Sequence, residues 1–219
     1  MDMHNVLLYG CAAAVVVSGT QLLAALAVED GDGAAPPSAL LRSWRRPVPR
    51  AAAVLMGVMV ALGVAQTVAP GLIDALERHP QGAWWRVVTA LMVQSSGWFQ
   101  LLFNLVSLAV VAPVAERQFG PWRMVLVFAA SGVTAQAVSM AGWSPRGGGD
   151  SVAVCGLVGA LGTWYAARGS VVALRRSALL IPTAGLVLCL PADNHGVGLL
   201  VGCVLGAGLV IPVRHRLTA

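Results

Sequence analysis

Apolar residues gather in seven long runs divided by short polar stretches, and the runs are continuous rather than alternating. Continuous runs predict helices that are apolar all round, and they exclude a transmembrane β-barrel, whose strands alternate. A helix crosses about 30 Å of hydrocarbon with roughly 20 residues at about 1.5 Å each. The pattern predicts spans over 5–28, 51–69, 97–114, 122–142, 151–167, 177–190 and 194–213. The sixth has 14 residues. It covers only about 21 Å, so it needs tilted neighbours, local thinning or snorkelling by Arg175 and Arg176. Segment 87–93 is too short to cross alone and follows Trp84-Trp85-Arg86, which predicts an interfacial stretch. The fold class is therefore all-α, a polytopic membrane helix bundle.

Composition agrees. Of 219 residues 58% are hydrophobic and 11% charged, against about 25% charged in a soluble domain. The net charge of +5 rests on fourteen arginines and no lysine. They lie in short loops between apolar runs, where they orient a chain against a bilayer and suggest no nucleic-acid partner. Cys11, Cys155, Cys189 and Cys203 form no C-x-x-C pair and read as small buried hydrophobes. His4, His79, His195 and His215 are scattered, so neither a metal nor a cofactor is expected.

Charge sets the sidedness. Ala25-Leu26-Ala27 looks like a signal-peptide cleavage site, but Asp2 and no arginine precede the first run, while arginines follow it. The run is expected to stay as a helix, residues 1–28, with its N-terminus outside. Residues 29–50 then form a cytoplasmic Arg- and Pro-rich loop, and 214–219 a cytoplasmic tail. Seven alternating spans put eleven of the fourteen arginines inside; only Arg78, Arg86 and Arg146 fall outside.

Ser151 and His195 then each open a helix running from outside to inside, at comparable depth. Serine needs a base to accept its proton, and histidine is the usual one near neutral pH. N–H groups at a helix N-terminus can also stabilise an oxyanion. Two plainer readings stand beside this: Asp150-Ser151 as an N-cap pair, and His195 bonded to a backbone carbonyl. Gly198, Gly202 and Gly206 at four-residue spacing give the last helix a small face, matched by Gly156, Gly159 and Ala160 on the Ser151 helix. Gln100 and Asn104, one turn apart on the third run, carry amides that could serve an oxyanion site or simply bond between helices.

These residues carry a resemblance. Residues 51–213 resemble the six-helix core of the rhomboid family of intramembrane serine proteases, with the first run as one extra N-terminal transmembrane helix. Trp85-Arg86 is similar to the Trp-Arg of the family's first extramembrane loop. Gly97-Trp98, Leu101-Leu102-Phe103-Asn104, Glu116 and Gly120 match its second helix and the turn after it. Gly149-Asp150-Ser151 matches the G-x-S motif, followed by Ala153-Val154, Gly156-Leu157 and Gly159-Ala160. His195, Gly198, Gly202 and Gly206 match the last helix.

The resemblance implies Ser151 as nucleophile and His195 as base, with no third acidic member required. It implies an oxyanion hole from Asn104, Gln100 and the Ser151 backbone. The partners it implies are the lipid bilayer and transmembrane protein substrates, cut within or beside their membrane helices. The short sixth helix and Pro191-Ala192-Asp193 would form the substrate gate. The chain departs from the family at Val152, where glycine is usual; at Gln100 and Ser95, where histidines are usual; and at Cys155, where an aromatic is usual. Cys155 lies one turn deeper than Ser151, and placing the nucleophile there loses the flanking matches. The alternative function is a proteolytically silent relative that binds or escorts membrane helices. The all-arginine, Ala- and Val-rich composition points to a GC-rich bacterial genome and a multi-pass protein of the cell membrane.

Overall fold

A computed structural model describes residues 3–27, 37–45 and 47–210. The ends of the first and last predicted spans, residues 29–36 and 46 of the 29–50 loop, and the 214–219 tail lie outside the described residues. Each of the seven apolar runs is helical where described. They are α1 (Met3–Leu26), α2 (Arg50–Val68), α5 (Trp98–Phe119), α6 (Pro121–Val138), α7 (Ser151–Arg168), the pair α8 (Val172–Ala178) and α9 (Leu180–Cys189), and α10 (Asn194–Val210). Two short helices, α3 (Gly71–Leu76) and α4 (Arg86–Thr89), lie in the segment between α2 and α5. By length and composition, Arg50–Val68, Trp98–Phe119, Pro121–Trp143 and Val172–Cys189 suffice to cross a membrane, and Gly10–Leu26 and Asn194–Val210 are shorter apolar helices. The protein is an all-α, multi-pass membrane bundle.

The sixth span differs from its sequence expectation. Helix begins at Val172, not Ser177, and reaches Cys189 with a break at Leu179. Pro182 accounts for the break, because its ring clashes with the carbonyl four residues back and it has no N–H to donate. The arginines that hid the start of this helix in the sequence lie on its first turns. Arg175 Nε donates to the Ala166 carbonyl at 2.8 Å, which ties α8 to the end of α7. A second difference lies in the 29–50 loop, where Pro37–Trp44 winds into a 3-10 helix. Trp44 Nε1 fastens it to the Ala109 carbonyl at 2.8 Å.

α7 is the central helix, flanked by α10, α6 and α5, while α1 packs on α9 and α8. The α7–α10 seam is made of the small residues the sequence marks. A Cβ on Gly198 would fall on the Val152 carbonyl, one on Gly202 on the Gly156 carbonyl, and one on Gly206 within 2.6 Å of the Ala160 carbonyl. Backbones this close leave no room for a methyl, so the two helices hold a fixed register. Their outward neighbours are apolar and bare: Phe99, Leu102, Val54 and Val204 are all exposed. In water that would be an aggregation surface; in a bilayer it is the lipid-facing one.

The two ends of the bundle use different polar devices. At one end Glu116 accepts the Ala51 and Ala52 N–H groups at 3.2 and 2.7 Å, capping α2. Arg117 donates there to the carbonyls of Ser43, Arg45 and Pro47, and Arg168 to that of Val210. Gly120 then turns α5 into α6 with a φ of 84°, a conformation that favours glycine, and Pro121 opens α6. At the other end Arg78 and Gly147 pair through both backbone bonds, 3.0 and 3.2 Å. Arg146 bridges to Asp74 at 2.7 Å and Glu77 at 2.9 Å. The glycine loop before α7 is thereby stitched to the segment between α2 and α5.

Candidate active site

α7 and α10 both begin at this stitched end. Ser151 is the first residue of α7 and His195 the second of α10, and the α7–α10 seam sets their spacing. Ser151 Oγ lies 2.9 Å from His195 Nε2. The other ring nitrogen, Nδ1, lies 2.7 Å from Asp193 Oδ1. The Asp193 carboxylate only accepts, so Nδ1 carries the hydrogen and Nε2 presents its lone pair to the serine hydroxyl. Neither plainer reading fits this arrangement. Asp150 makes no side-chain cap bond to α7, and the His195 ring sits between two side chains rather than on a carbonyl.

The pair opens into a cavity of about 230 Å³, lined among others by Arg78, Ser95, Gln100, Gln136, Gly148, Gly149, Val152 and Asn194. Gln100 spans its wall, donating from Nε2 to the Gly148 carbonyl at 3.0 Å while Oε1 accepts the Ser96 N–H at 2.8 Å. Its second amide hydrogen is not committed by either bond. Gly149 has a φ of 156°, and a Cβ there would collide with Gln100 Nε2, so this position needs glycine. The first N–H groups of α7, Ser151's included, have no intrahelical partner and point to the same end. Arg78 is only 3% exposed, and its Nε has no partner. Burial pushes its guanidinium down to about 10 against the opposing pull of Glu77.

Asn104 is placed differently from its expected role. It is buried below the cavity, and Nδ2 donates to Gln94 Oε1 at 2.7 Å and to Asp150 Oδ1 at 3.0 Å. Both amide hydrogens are thus committed in this structure, neither of them toward the Ser151–His195 pair. The cause is Asp150, 1% exposed, whose carboxyl needs donors; Gln94 Nε2 supplies another at 2.8 Å. Burial still holds this carboxyl above the ordinary carboxylate range. Gln66 Oε1 accepts the Gln94 N–H at 2.8 Å, and Gln136 Nε2 donates to the Gly149 carbonyl at 2.8 Å. Trp85 and Arg86 are outside the cavity. Arg86 lies over the Trp85 ring at 5.0 Å and donates to the carbonyls of Asp74 and Glu77, which holds the segment after α3.

Gln94 and Gln136 are residues that sequence reasoning missed, and Asp193 was named only as part of the gate. Asp193, two positions before the singled-out His195, was the one with a visible signal. Among the described residues, Asp74, Glu77 and His79 lie close enough to share an ion. Arg146 already engages both carboxylates, and His79 Nε2 already lies 2.8 Å from the Asp74 carbonyl.

Comparison with known proteins places this geometry in a family. Residues 81–212, more than half of the chain, match the model of the Rhomboid domain. The chain is 42% identical over 52 residues to YdcA of Bacillus subtilis (strain 168), a stretch covering 24% of this chain and 26% of YdcA. It is 35% identical over 81 residues to the rhomboid protease GluP of the same organism, covering 37% of this chain and 16% of GluP. The matches thus span about a quarter or less of those relatives' lengths.

Proposed function

Because the chain belongs to the rhomboid family, we propose that it is a serine protease that cuts other membrane proteins within or beside their transmembrane helices. The observation that carries this reading is the 2.9 Å contact between Ser151 Oγ and His195 Nε2 at the mouth of a polar cavity. As a substrate carbonyl approaches, Oγ attacks its carbon and the hydroxyl proton passes to Nε2. The resulting oxyanion is met by the Ser151 N–H at the start of α7 and by the uncommitted hydrogen of Gln100. The imidazolium then gives its proton to the leaving amine, and the acyl-enzyme remains on Oγ. Water, activated by the same nitrogen, frees the acid and restores the serine.

Substrate is a membrane helix or its juxtamembrane end, reached from the lipid past α9 and the turn 190–193. The arginine distribution supports an outward-facing site, with the N-terminus outside and the C-terminus in the cytoplasm of a bacterial cell. A silent relative that binds membrane helices without cutting them is the second reading, and Asn104's commitment to Asp150 favours it. Labelling of the purified protein by a fluorophosphonate decides between the two. The protease reading expects covalent labelling that Ser151→Ala abolishes and His195→Ala strongly reduces. Labelling that persists in Ser151→Ala, or no labelling under any condition, would favour the silent relative.

A further inference from the structure

Asp193 enters through the turn between α9 and α10. The Ala192 N–H donates to the Cys189 carbonyl at 3.1 Å and the Asp193 N–H to the Leu188 carbonyl at 3.0 Å. This is a Schellman closure, with the left-handed position taken by Ala192 at a φ of 58°. It delivers Asp193 in the position before the first residue of α10. There one oxygen, Oδ1, takes two donors from the same residue: the His195 backbone N–H at 2.8 Å and the His195 ring at Nδ1, 2.7 Å. The first bond is a helix cap. The second has no capping purpose, because a cap needs only the backbone donor. It fixes the plane and tautomer of the ring that faces Ser151.

We propose that Asp193 is a positioning residue of the proposed proteolytic reaction, turning the Ser151–His195 pair into an Asp–His–Ser relay in which the carboxylate orients His195 and balances the imidazolium formed during attack. The proton stays on the imidazole between Ser151 and the leaving amine, and Asp193 holds none of it. The Asp193 side chain is 24% exposed and that of His195 40%, so the interaction is partly screened and its effect is smaller than in a fully buried triad. Other titratable groups face the pair. Cys11 on α1, Cys155 on α7 and Cys189 on α9 lie within the field of Asp193. Arg78 and Arg146 line the same cavity. None of these makes the contact at Nδ1.

The inference rests on the protease reading, and its test separates the two. Asp193→Asn keeps an oxygen for the cap and removes the charge; Asp193→Ser keeps a cap-forming hydroxyl and removes the reach to the ring. Fluorophosphonate labelling rates of these full-length variants are measured between pH 5 and 9, with thermal unfolding alongside. Both rates should fall at least about tenfold at pH 7 while stability barely changes. The loss in Asp193→Asn should be seen across the whole pH range, because the imidazolium formed during attack has lost its counter-charge. Wild-type rate and profile in Asp193→Asn, or a rate loss matched by unfolding, overturns the inference and leaves a cap. If wild-type protein does not label, the protease reading fails by itself. Nitrogen-15 NMR of His195 in Ser151→Ala protein still decides the inference, because it needs no turnover. The Nδ1–H tautomer with Asp193 present, and its loss in Asp193→Ser, supports it; an unchanged tautomer overturns it.

Discussion

A Cβ on Gly202 would clash with the carbonyl oxygen of Gly156, so α10 and α7 meet backbone to backbone along the seam that carries Ser151 and His195. Such an overlap cannot be relieved by rotating a side chain. Gly202→Ala should cost about 1–3 kcal/mol of stability through overpacking, and Gly202→Leu more. Both should slow Ser151 labelling by pushing His195 away from its partner. Normal labelling of a folded Gly202→Leu protein would show that the seam does not set the site.

The opposite end offers a contrast. Glu116 receives two α2 N–H groups, and removing it leaves both without that acceptor. Glu116→Ala should lower stability by about 1–2 kcal/mol. Labelling of the folded fraction at 25 °C should stay within about twofold of wild type, because Ser151 is at the other end of the bundle. Thermal unfolding and the labelling rate, measured on one preparation, check both halves.

Asp150 links stability to pH. Burial raises its carboxyl above the ordinary range, so the folded protein binds this proton more tightly than the unfolded chain does. Stability from this group is therefore present at low pH. It falls as pH rises from the unfolded carboxylate value of about 3.9 through the raised folded one. Asp150→Asn keeps an oxygen for Gln94 and Asn104 and does not titrate. It should flatten the pH dependence of unfolding and match or exceed wild-type stability near neutrality. A variant markedly less stable than wild type at pH 7, with Gln94 and Asn104 intact, would show that the ionised carboxylate is needed.

Ala192 holds a left-handed backbone that glycine adopts freely. Ala192→Gly should therefore stabilise the protein by about 0.5–1 kcal/mol, net of the added freedom of the unfolded chain. Chemical denaturation in detergent measures this. A loss of stability would mean that the turn is not strained.

How far the sequence could be read follows from the physics of each signal. Apolar runs report on the solvent, so the seven helices and the membrane bundle are legible from hydropathy alone. The small faces of Gly198, Gly202, Gly206 and Gly156, Gly159, Ala160 are legible because close helix packing needs them. The first turns of α8 are not, since Arg175 and Arg176 interrupt hydropathy while their side chains serve the helix end. Asp193 reads as one more acidic residue in a loop, and only the closed turn aims it at a ring. Asn104 reads as a donor awaiting a substrate, yet the Asp150 carboxylate 46 positions away claims one of its hydrogens and Gln94 the other. Donors can be named from sequence, but their allocation is a three-dimensional matter.

That allocation bears on how the proposed protease could keep water inside an insulating film. Asp150, Asn104 and Gln94 spend their hydrogen bonds largely on one another beneath Ser151. Those three side chains have few hydrogen bonds left to offer solvent, and the Gly- and Ala-rich seam of α7 and α10 brings backbone against backbone. The proposed reaction chamber can stay wet without becoming a leak for protons or ions.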